Sequence, residues 1–471
     1  MKGTARLFLL ATIVASGFSR TGLTIAQMTV PVAGAVAANI PYLDAKPILE
    51  ALREDLLPAE LQARTPGQIE AAWPQWVTEH DAQIRARLES GDHDSVINFL
   101  LFGVTFTKHP RMTARDILLA AREGRTAEVL QTPTIQARIG DLIAGAASPG
   151  ADERLQFVRG VIEARGFDPA TTAGRDELRR YLDEGLRRVL AELEPYSRAP
   201  ASEQSVRFGD RGLSSDTSIS PSFAIDQALE ALRTERLFAA GSVRRVAIVG
   251  PGLDFTDKRE GYDFYPQQTL QPFAVIDSLR RLRLADSGVL RATTFDLSPR
   301  VNQHLELARA RARAGEAYVL HLPRDPASAW TRELVAYWKR FGETLGEPAT
   351  PTAVPPEVAS IEVRAVRVPP GVVLTITPVD LNIVLQRLDP MPASDQFDLV
   401  VATNLLVYYD AFERSLALAN VAKMLRPGGI LLANNATPVV LPSTVESIGF
   451  SDIAYSSRVN DRDRIVWYRR R

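Results

Sequence analysis

Three short stretches carry the chemistry this chain can do. Gly250-Pro251-Gly252 directly follows the apolar run 243–249. Glycine has no Cβ, so a turn of this kind lets the backbone approach a ligand closely. Asp296 ends a second such run, 290–295. A carboxylate there can accept hydrogen bonds from both hydroxyls of a ribose. Asn404 comes where a third run should stop, in Phe397-Asp398-Leu399-Val400-Val401-Ala402-Thr403-Asn404. Ligands of open α/β sheets sit outside the carboxyl ends of the strands, so Asn404, Tyr408 and Tyr409 are placed beside one. The glycine turn and the acid together point to an adenosine-containing cofactor.

The elements that must hold these residues alternate. Strand 243–249 is followed, after a long loop, by a helix over 273–284. Strand 290–295 leads to a helix over 301–314, strand 317–321 to a helix over 330–341. A Pro-rich excursion, 348–356, precedes β-like runs at 361–368 and 372–376. The apolar run 397–402 reads as a fully buried parallel strand. A helical segment and Leu425-Arg426-Pro427-Gly428-Gly429-Ile430 follow, a breaker and another buried strand. Such alternation implies βαβ units and a mostly parallel sheet. The tail segments 453–455 and 464–468 suit an antiparallel pair at its edge.

The front half reads differently. Leu178, Leu182, Leu186, Val189, Leu190 and Leu193 recur at helical spacing, as do Leu155, Val158, Val161 and Ile162. Breakers at Pro110, Gly124 and Ala147-Ser148-Pro149-Gly150 divide the stretch. An all-helical domain over 43–197 is expected, with the dense apolar patch 96–104 in its core and Trp73 and Trp76 as core residues. Residues 198–222, rich in Ser, Gly and Asp, read as a linker. The second domain then spans 223–471. His80, His93 and His109 lack helical i, i+4 spacing and no HExxH pattern occurs, so structural or surface histidines are expected and no metal site.

At 471 residues the chain is too long for one ordinary core. Its 45% apolar and 24% charged content belong to a globular protein. A net charge of -1 and evenly spread arginines give no electrostatic case for nucleic acid. Cysteine is absent, which excludes disulfides, thiolate metal sites and a cysteine nucleophile. Lys2 and Arg6 precede an apolar run, 7–18, and small residues follow around Thr24-Ile25-Ala26. This is the build of a signal peptide over 1–26, or of an uncleaved anchor if 30–38 extends it. An exported, periplasmic or secreted protein is expected, or one anchored at its N-terminus. Membrane contact is expected there only.

Most specifically in the stretch that begins at Phe397, the chain resembles the Rossmann-like S-adenosylmethionine-dependent methyltransferases, most of all the type that methylates chemotaxis-receptor glutamates. That family shows Phe-Asp, an apolar strand, an Asn, an apolar pair and Tyr-Phe-Asp, then a helix and Leu-Arg-Pro-Gly-Gly. Here the same order runs through Phe397-Asp398, Asn404-Leu405-Leu406-Val407-Tyr408-Tyr409-Asp410 and Leu425-Arg426-Pro427-Gly428-Gly429. Asp380-Leu381-Asn382-Ile383-Val384 resembles its Asn-Leu-Leu segment, and Thr269-Leu270-Gln271-Pro272-Phe273 its Glu-Glu-Pro-Tyr segment. The likeness covers residues 240–435. It implies an α/β, Rossmann-like methyltransferase domain after the helical one, and S-adenosylmethionine as cofactor. Gly250 and Gly252 would then form its loop, with Asp296 at the ribose, Asn382 and its neighbours at the adenine, and Asn404 with Leu405 beside the methionine moiety. Gln271 would stand where the family has a Glu that holds the ammonium. The methyl acceptor, a small molecule or a protein, is not specified, nor is a catalytic residue. Alignment, rather than acid–base work, dominates transfer from an activated sulfonium.

The chain departs from that pattern at several places. Ile248 replaces an acid of the first strand, Asp254 replaces a small residue of the glycine turn, and Gln271 gives up a charge. The glycine turn also falls short of the GxGxxG of dehydrogenases. An insertion, 255–268, carries Tyr262, Asp263, Phe264 and Tyr265, and suits either a lid over the pocket or a loop packed on the helical domain. Tyr408 and Tyr409 suit either acceptor or sulfonium contact or plain rim packing. Export would also separate an enzyme from its methyl donor. The alternative function is therefore a non-catalytic exported protein that uses the methyltransferase fold as a binding or scaffold module. An N-terminus that anchors the chain facing the cytoplasm would instead restore access to the donor.

Overall fold

The computed structural model describes residues 35–198, 212–213, 216–256, 262–434, 444–458 and 461–471. The expected signal segment, 1–26, lies outside them, as does most of the linker 198–222.

The first described elements are β1 (Val36–Asn39), α1 (Tyr42–Ala51) and α2 (Pro66–Phe102). Thr65 and Gln68 form a reciprocal capping box at the start of α2. Five helices follow: α3 (Ala114–Arg122), α4 (Thr126–Leu130), α5 (Pro133–Ala147), α6 (Glu153–Ala164) and α7 (Thr172–Arg198). After α8 (Ile219–Thr234) comes the α/β part. It comprises β2 (Arg245–Val249), α9 (Gln271–Arg281), β3 (Arg291–Asp296), α10 (Pro299–Arg313), β4 (Tyr318–Arg324), α11 (Arg332–Arg340) and β5 (Glu347–Ala349). Then follow β6 (Glu362–Val368), α12 (Pro370–Val373), β7 (Ile376–Asp380), β8 (Gln386–Asp389), β9 (Phe397–Ala402), α13 (Ala411–Met424), β10 (Leu425–Asn434), β11 (Val445–Ala454) and β12 (Arg462–Arg470).

Seven strands form the main sheet in the order β11-β12-β10-β9-β2-β3-β7. From β7 to β10 all neighbours are parallel. The tail strands β11 and β12 close the edge as an antiparallel pair. The order runs outward from β2 in both directions, so a crevice opens at the carboxyl ends of β2 and β9. This is the mixed α/β, mostly parallel architecture expected from the alternation, and the Rossmann-like class that the resemblance implied.

Alternate residues of each buried strand face opposite sides. Val246, Ile248, Leu399, Val401, Ile430 and Leu432 pack against α8, α9, α10 and α11. Ala247, Val249, Val400, Ala402, Leu431 and Ala433 pack against α1, α13 and the first half of α2. Ile248, where the family has an acid, is fully buried in the first of these cores.

One long helix of the front half contributes to two cores. Ile69, Trp73, Trp76, Val77 and Ile84 of α2 belong to the sheet core, whereas Val96 to Phe102 of the same helix belong to the core of α3 to α7. At 37 residues, α2 is roughly 55 Å long and serves both. β1 also pairs antiparallel with β8. The helical core contains the apolar patch as far as Phe102, whereas Val104 joins a small cluster with Tyr262, Phe264 and Tyr265, and Arg138 is buried in the helical core. That buried guanidinium donates to the carbonyls of Leu100, His109 and Gly103 at 2.8, 2.8 and 2.6 Å.

Two strand expectations change. The strand expected near 317–321 becomes β4, which lies outside the parallel sheet and pairs antiparallel with β6. It holds Pro323, which cannot donate to a ladder and suits an edge strand. The run 372–376 splits, because Pro370 at N1 starts the helical turn α12, and β7 then takes the place beside β3.

The motif residues have local roles. Asp398 accepts from the Arg244 and Arg245 backbone N–H groups at 2.7 and 2.9 Å, tying β9 to the start of β2. Asp410 and Glu413 form the capping box of α13. Pro427-Gly428-Gly429 shifts the register of β10 against β9, with Gly428 at φ +75°.

Candidate functional site

A cavity of about 410 Å³ opens at the crevice between β2 and β9. That is within the range of pockets that take a small ligand. Gly250 and Gly252 follow β2 with φ of +67° and +63°, a region in which other residues are strained. A Cβ on Gly250 would stand 3.3 Å from Leu405 Cδ1 across the crevice. Asp296 ends β3, and Thr403 and Asn404 follow β9.

The structure brings Gly250, Gly252, Gln271, Asp296, Asn404 and Leu405 to this one cavity. Asn382 is the exception. Its amide donates to Asp81 Oδ1 of α2 at 2.7 Å and accepts from the Val384 N–H at 3.1 Å. Asn382 is thus spent on holding its own loop and α2, and the apolar side chains of its neighbours Leu381 and Ile383 line the cavity instead. Asn404 is held too: its N–H donates to Asn434 Oδ1 and its Oδ1 accepts from Asn434 Nδ2, both at 2.8 Å.

Asp254 does not block the cavity. Its carboxylate turns away and accepts from the Tyr265 hydroxyl and Gln268 Nε2, both at 2.9 Å. Asp254 and Tyr265 line a separate hole of about 20 Å³ beside His321. The described part of the insertion packs on both sides: Tyr262, Phe264 and Tyr265 cluster with Val104 and Ile361, and Tyr265 stacks on His321 of β4. Phe255 enters the helical core, 4.9 Å from Phe157 between ring centroids. Asp263 accepts from the Val104 and Thr105 N–H groups at 2.8 and 3.1 Å.

Burial pushes the Asp296 carboxyl up to about 6. Backbone N–H groups of Ser298 and Gly252 and the nearby Arg300 charge act against that rise, while the charge of Asp380 adds to it. Tyr408 and Tyr409 both line the cavity. Burial pushes the Tyr409 phenol up, and Arg87 of α2 stacks over its ring at 5.7 Å.

Other lining residues come from stretches without a sequence motif. Leu213, Asp216, Thr217, Ser218 and Pro221 belong to the stretch read as linker, and Leu88 to α2. Thr217 N–H donates to Leu253 O at 2.9 Å, so this strap runs alongside the glycine turn. It presses on α2 so closely that a Cβ on Gly91 would lie 1.9 Å from Leu213 O. A glycine in a helix interior costs about 1 kcal/mol against alanine. Gly91 and, facing it, Gly212, whose own Cβ would lie 2.2 Å from Gly91 N, are the sequence signals of this crossing.

Two of the histidines are held by neighbouring side chains. His80 Nε2 lies 3.1 Å from Glu413 Oε1 and the ring stacks on Trp76. His304 Nε2 lies 2.8 Å from the Tyr318 hydroxyl. Among the described residues no cluster of His, Asp and Glu has the makings of a metal site.

No protein-family model matches the chain, and no curated protein matches it. Similar solved structures are methyltransferases. The N-methyltransferase NodS from Bradyrhizobium japonicum WM9 is 13% identical, over 54% of this chain and 99% of its own, with a TM-score of 0.26. The mitomycin 7-O-methyltransferase MmcR is 13% identical over 75% and 99%, with a TM-score of 0.27. The citrinin polyketide synthase CMeT domain is 12% identical over 92% and 99%, with a TM-score of 0.27. At TM-scores this low, none of the three bears on what this chain does.

Proposed function

We propose that the cavity binds S-adenosylmethionine and that the chain is a methyltransferase-type protein. The observation that carries this reading is the convergence of Gly250, Asp296 and Asn404, from three separate strand ends, on one cavity. Two buried polar atoms in its wall fit the same ligand. Gln271 Oε1 and Thr256 Oγ1 have no hydrogen-bond partner among the described residues. Buried polar groups are normally paired, so a polar ligand end is the natural partner for both.

In this reading Asp296 accepts the ribose hydroxyls, and Leu381 and Ile383 give the base an apolar slot. The glycine turn lets the ligand lie against backbone, and Tyr408 and Tyr409 face the transferred group. The ligand itself supplies an activated methyl on sulfur, so the protein contributes position. The divergent likeness to the chemotaxis-receptor type rests on the Phe397 to Gly429 motif, whose residues build β9, its exit loop, the cap of α13 and the start of β10.

Isothermal titration with S-adenosylmethionine and S-adenosylhomocysteine tests the reading. Micromolar binding that Asp296→Ala weakens at least about tenfold is expected, from loss of charge-assisted hydrogen bonds. Absence of heat with either ligand would reject it and leave the scaffold reading. We further propose that residues 1–26 direct export or anchor the chain. A topology reporter fused after residue 40 reads which side of the membrane the protein occupies.

A further inference from the structure

We propose that the end of the main sheet opposite the cavity is a docking face for anionic phospholipid, built from arginines that helix and strand ends gather there. This face is independent of whatever the cavity binds.

α8 and α9 both start at the cavity and end at the opposite rim. Pro221 and Gln271 line the cavity, whereas Arg283 O and Leu284 O accept from the Gly241 and Val243 N–H groups ahead of β2, at 3.0 and 2.9 Å. Arg244 precedes β2 and Arg291 starts β3, joined by a bond of 2.8 Å from the Arg291 N–H to Arg244 O. Arg233, Arg236, Arg244, Arg283 and Arg291 are exposed, and none has a carboxylate partner among the described residues. The segments that hold them, 233–244 and 283–291, contain only Glu235 and Asp286 as acids. The rim is thus locally positive in a chain of net charge -1.

Two of these arginines stand where the backbone asks for glycine. α8 and α9 end alike: the Leu237 N–H returns to Leu232 O at 2.9 Å and the Leu284 N–H to Leu279 O at 2.8 Å. This closure needs a left-handed residue just past the helix, a place that glycine usually takes. Arg236 and Arg283 take it here, at φ +56° and +55°. Among the described residues their side chains gain no hydrogen bond or ion pair in return. Backbone strain kept without a structural return points to a function for the side chain.

The N-terminal residues join the fold at this same rim. Val36 of β1 pairs with Asp389 of β8, and a few residues on, Ser394 O accepts from Arg245 Nε at 3.1 Å. The sequence ahead of Ala35 includes Lys2, Arg6 and the apolar run 7–18. An apolar segment that reaches lipid brings the rim to the bilayer surface, where guanidinium forks suit headgroup phosphates. A local patch suffices once it is tethered there. Free nucleic acid would instead have to be drawn to a chain with no net positive charge. The membrane contact expected at the N-terminus therefore extends to the folded body, with the cavity facing water.

Cysteine is absent, so Ser287→Cys, in the exposed turn between Arg283 and Arg291, puts one dye on this face of the full chain. Quenching by headgroup-labelled lipid reads docking on vesicles of equal parts phosphatidylglycerol and phosphatidylcholine, and on phosphatidylcholine alone. The docked-to-free ratio should be at least about tenfold higher on the anionic vesicles, since each basic residue near such a surface contributes about fivefold. Salt at about 1 M, with a Debye length of about 3 Å, should remove the preference. Arg236→Gly with Arg283→Gly should remove most of it while the unfolding temperature holds or rises, because glycine relieves the strain. Arg236→Lys with Arg283→Lys should keep most of it. Arg180→Gln with Arg187→Gln takes the same charge from α7 and should leave it intact. Equal quenching on both vesicles, or a full preference in the glycine pair, overturns the lipid face. So does a DNA oligonucleotide that displaces the face from anionic vesicles, which assigns the arginines to nucleic acid. Failure to dock in a chain that the topology reporter shows to be anchored falls on this face alone.

Discussion

Asn404 and Asn434 hold each other through a reciprocal pair of hydrogen bonds, Asn404 N–H to Asn434 Oδ1 and Asn434 Nδ2 to Asn404 Oδ1, both 2.8 Å. They stand at the carboxyl ends of the neighbouring parallel strands β9 and β10. Asn404 has φ +59°, a region that asparagine tolerates better than most residues. The pair fixes the exit of β9 and so the cavity wall that Leu405 forms against Gly250. Asn404→Ala should lose about 2–3 kcal/mol, from left-handed backbone strain and an orphaned Asn434 amide. Asn404→Gly removes the strain and should lose roughly 1 kcal/mol. Urea unfolding midpoints check the order of the two.

Asp296 should make both stability and ligand affinity depend on pH, in opposite directions. Its folded value, about 6, lies above the ~3.9 of an unfolded chain. Between those values the folded chain binds more protons, so this group's contribution to stability is present at low pH and is lost as pH rises through about 6. Asp296→Asn should flatten that slope in thermal unfolding. Ribose hydroxyls donate to the ionised form, so adenosyl affinity should fall as pH drops below about 6. Titrations at about pH 5 and about pH 8 read the change, and Asp296→Asn should bind weakly at both.

Arg138 should be among the costliest single positions in the helical core. Arg138→Met leaves the carbonyls of Leu100, Gly103 and His109 without this donor in a dry interior. A loss on the order of 3–5 kcal/mol is expected, read as a fall in denaturation midpoint. The cavity lies elsewhere, so ligand affinity measured below the transition should be unchanged.

A fragment of residues 216–471 should not behave as a stable domain. It lacks Ala35, Ile40, Ile48, Trp73, Trp76 and Val77, which cover one face of the main sheet. An uncovered apolar sheet face is an aggregation site. Dye binding and light scattering should show exposed apolar surface in the fragment and little in a chain starting at residue 35. A soluble, cooperatively unfolding fragment would show that α1 and α2 are dispensable.

The strand–helix order from β2 to α10, and from β9 to β10, was legible because local chemistry sets it. Buried parallel strands are unbroken apolar runs, and the helices between them carry caps such as the Asp410–Glu413 box. The positions of three strand-end residues were legible for the same reason: Gly250 directly follows β2, Asp296 ends β3 and Asn404 comes two residues past β9. β4 was not, because an apolar run does not say which sheet it joins. Its place outside the parallel sheet follows from pairing with β6, whose residues lie 38 (Arg324 to Glu362) to 50 (Tyr318 to Val368) positions later in the chain.

By itself the sequence determined the α/β class, the helical front half, and the residue types at the strand ends, since these depend on neighbours within a turn or two. Tertiary structure alone decided the rest. It removed Asn382 from the cavity by giving its amide to Asp81, and turned Asp254 away towards Tyr265 and Gln268. It also brought Leu88, Leu213, Asp216 and Thr256 to the wall. Those outcomes rest on hydrogen bonds and packing between residues far apart in the chain, and such partners leave no period or motif in the segments they join.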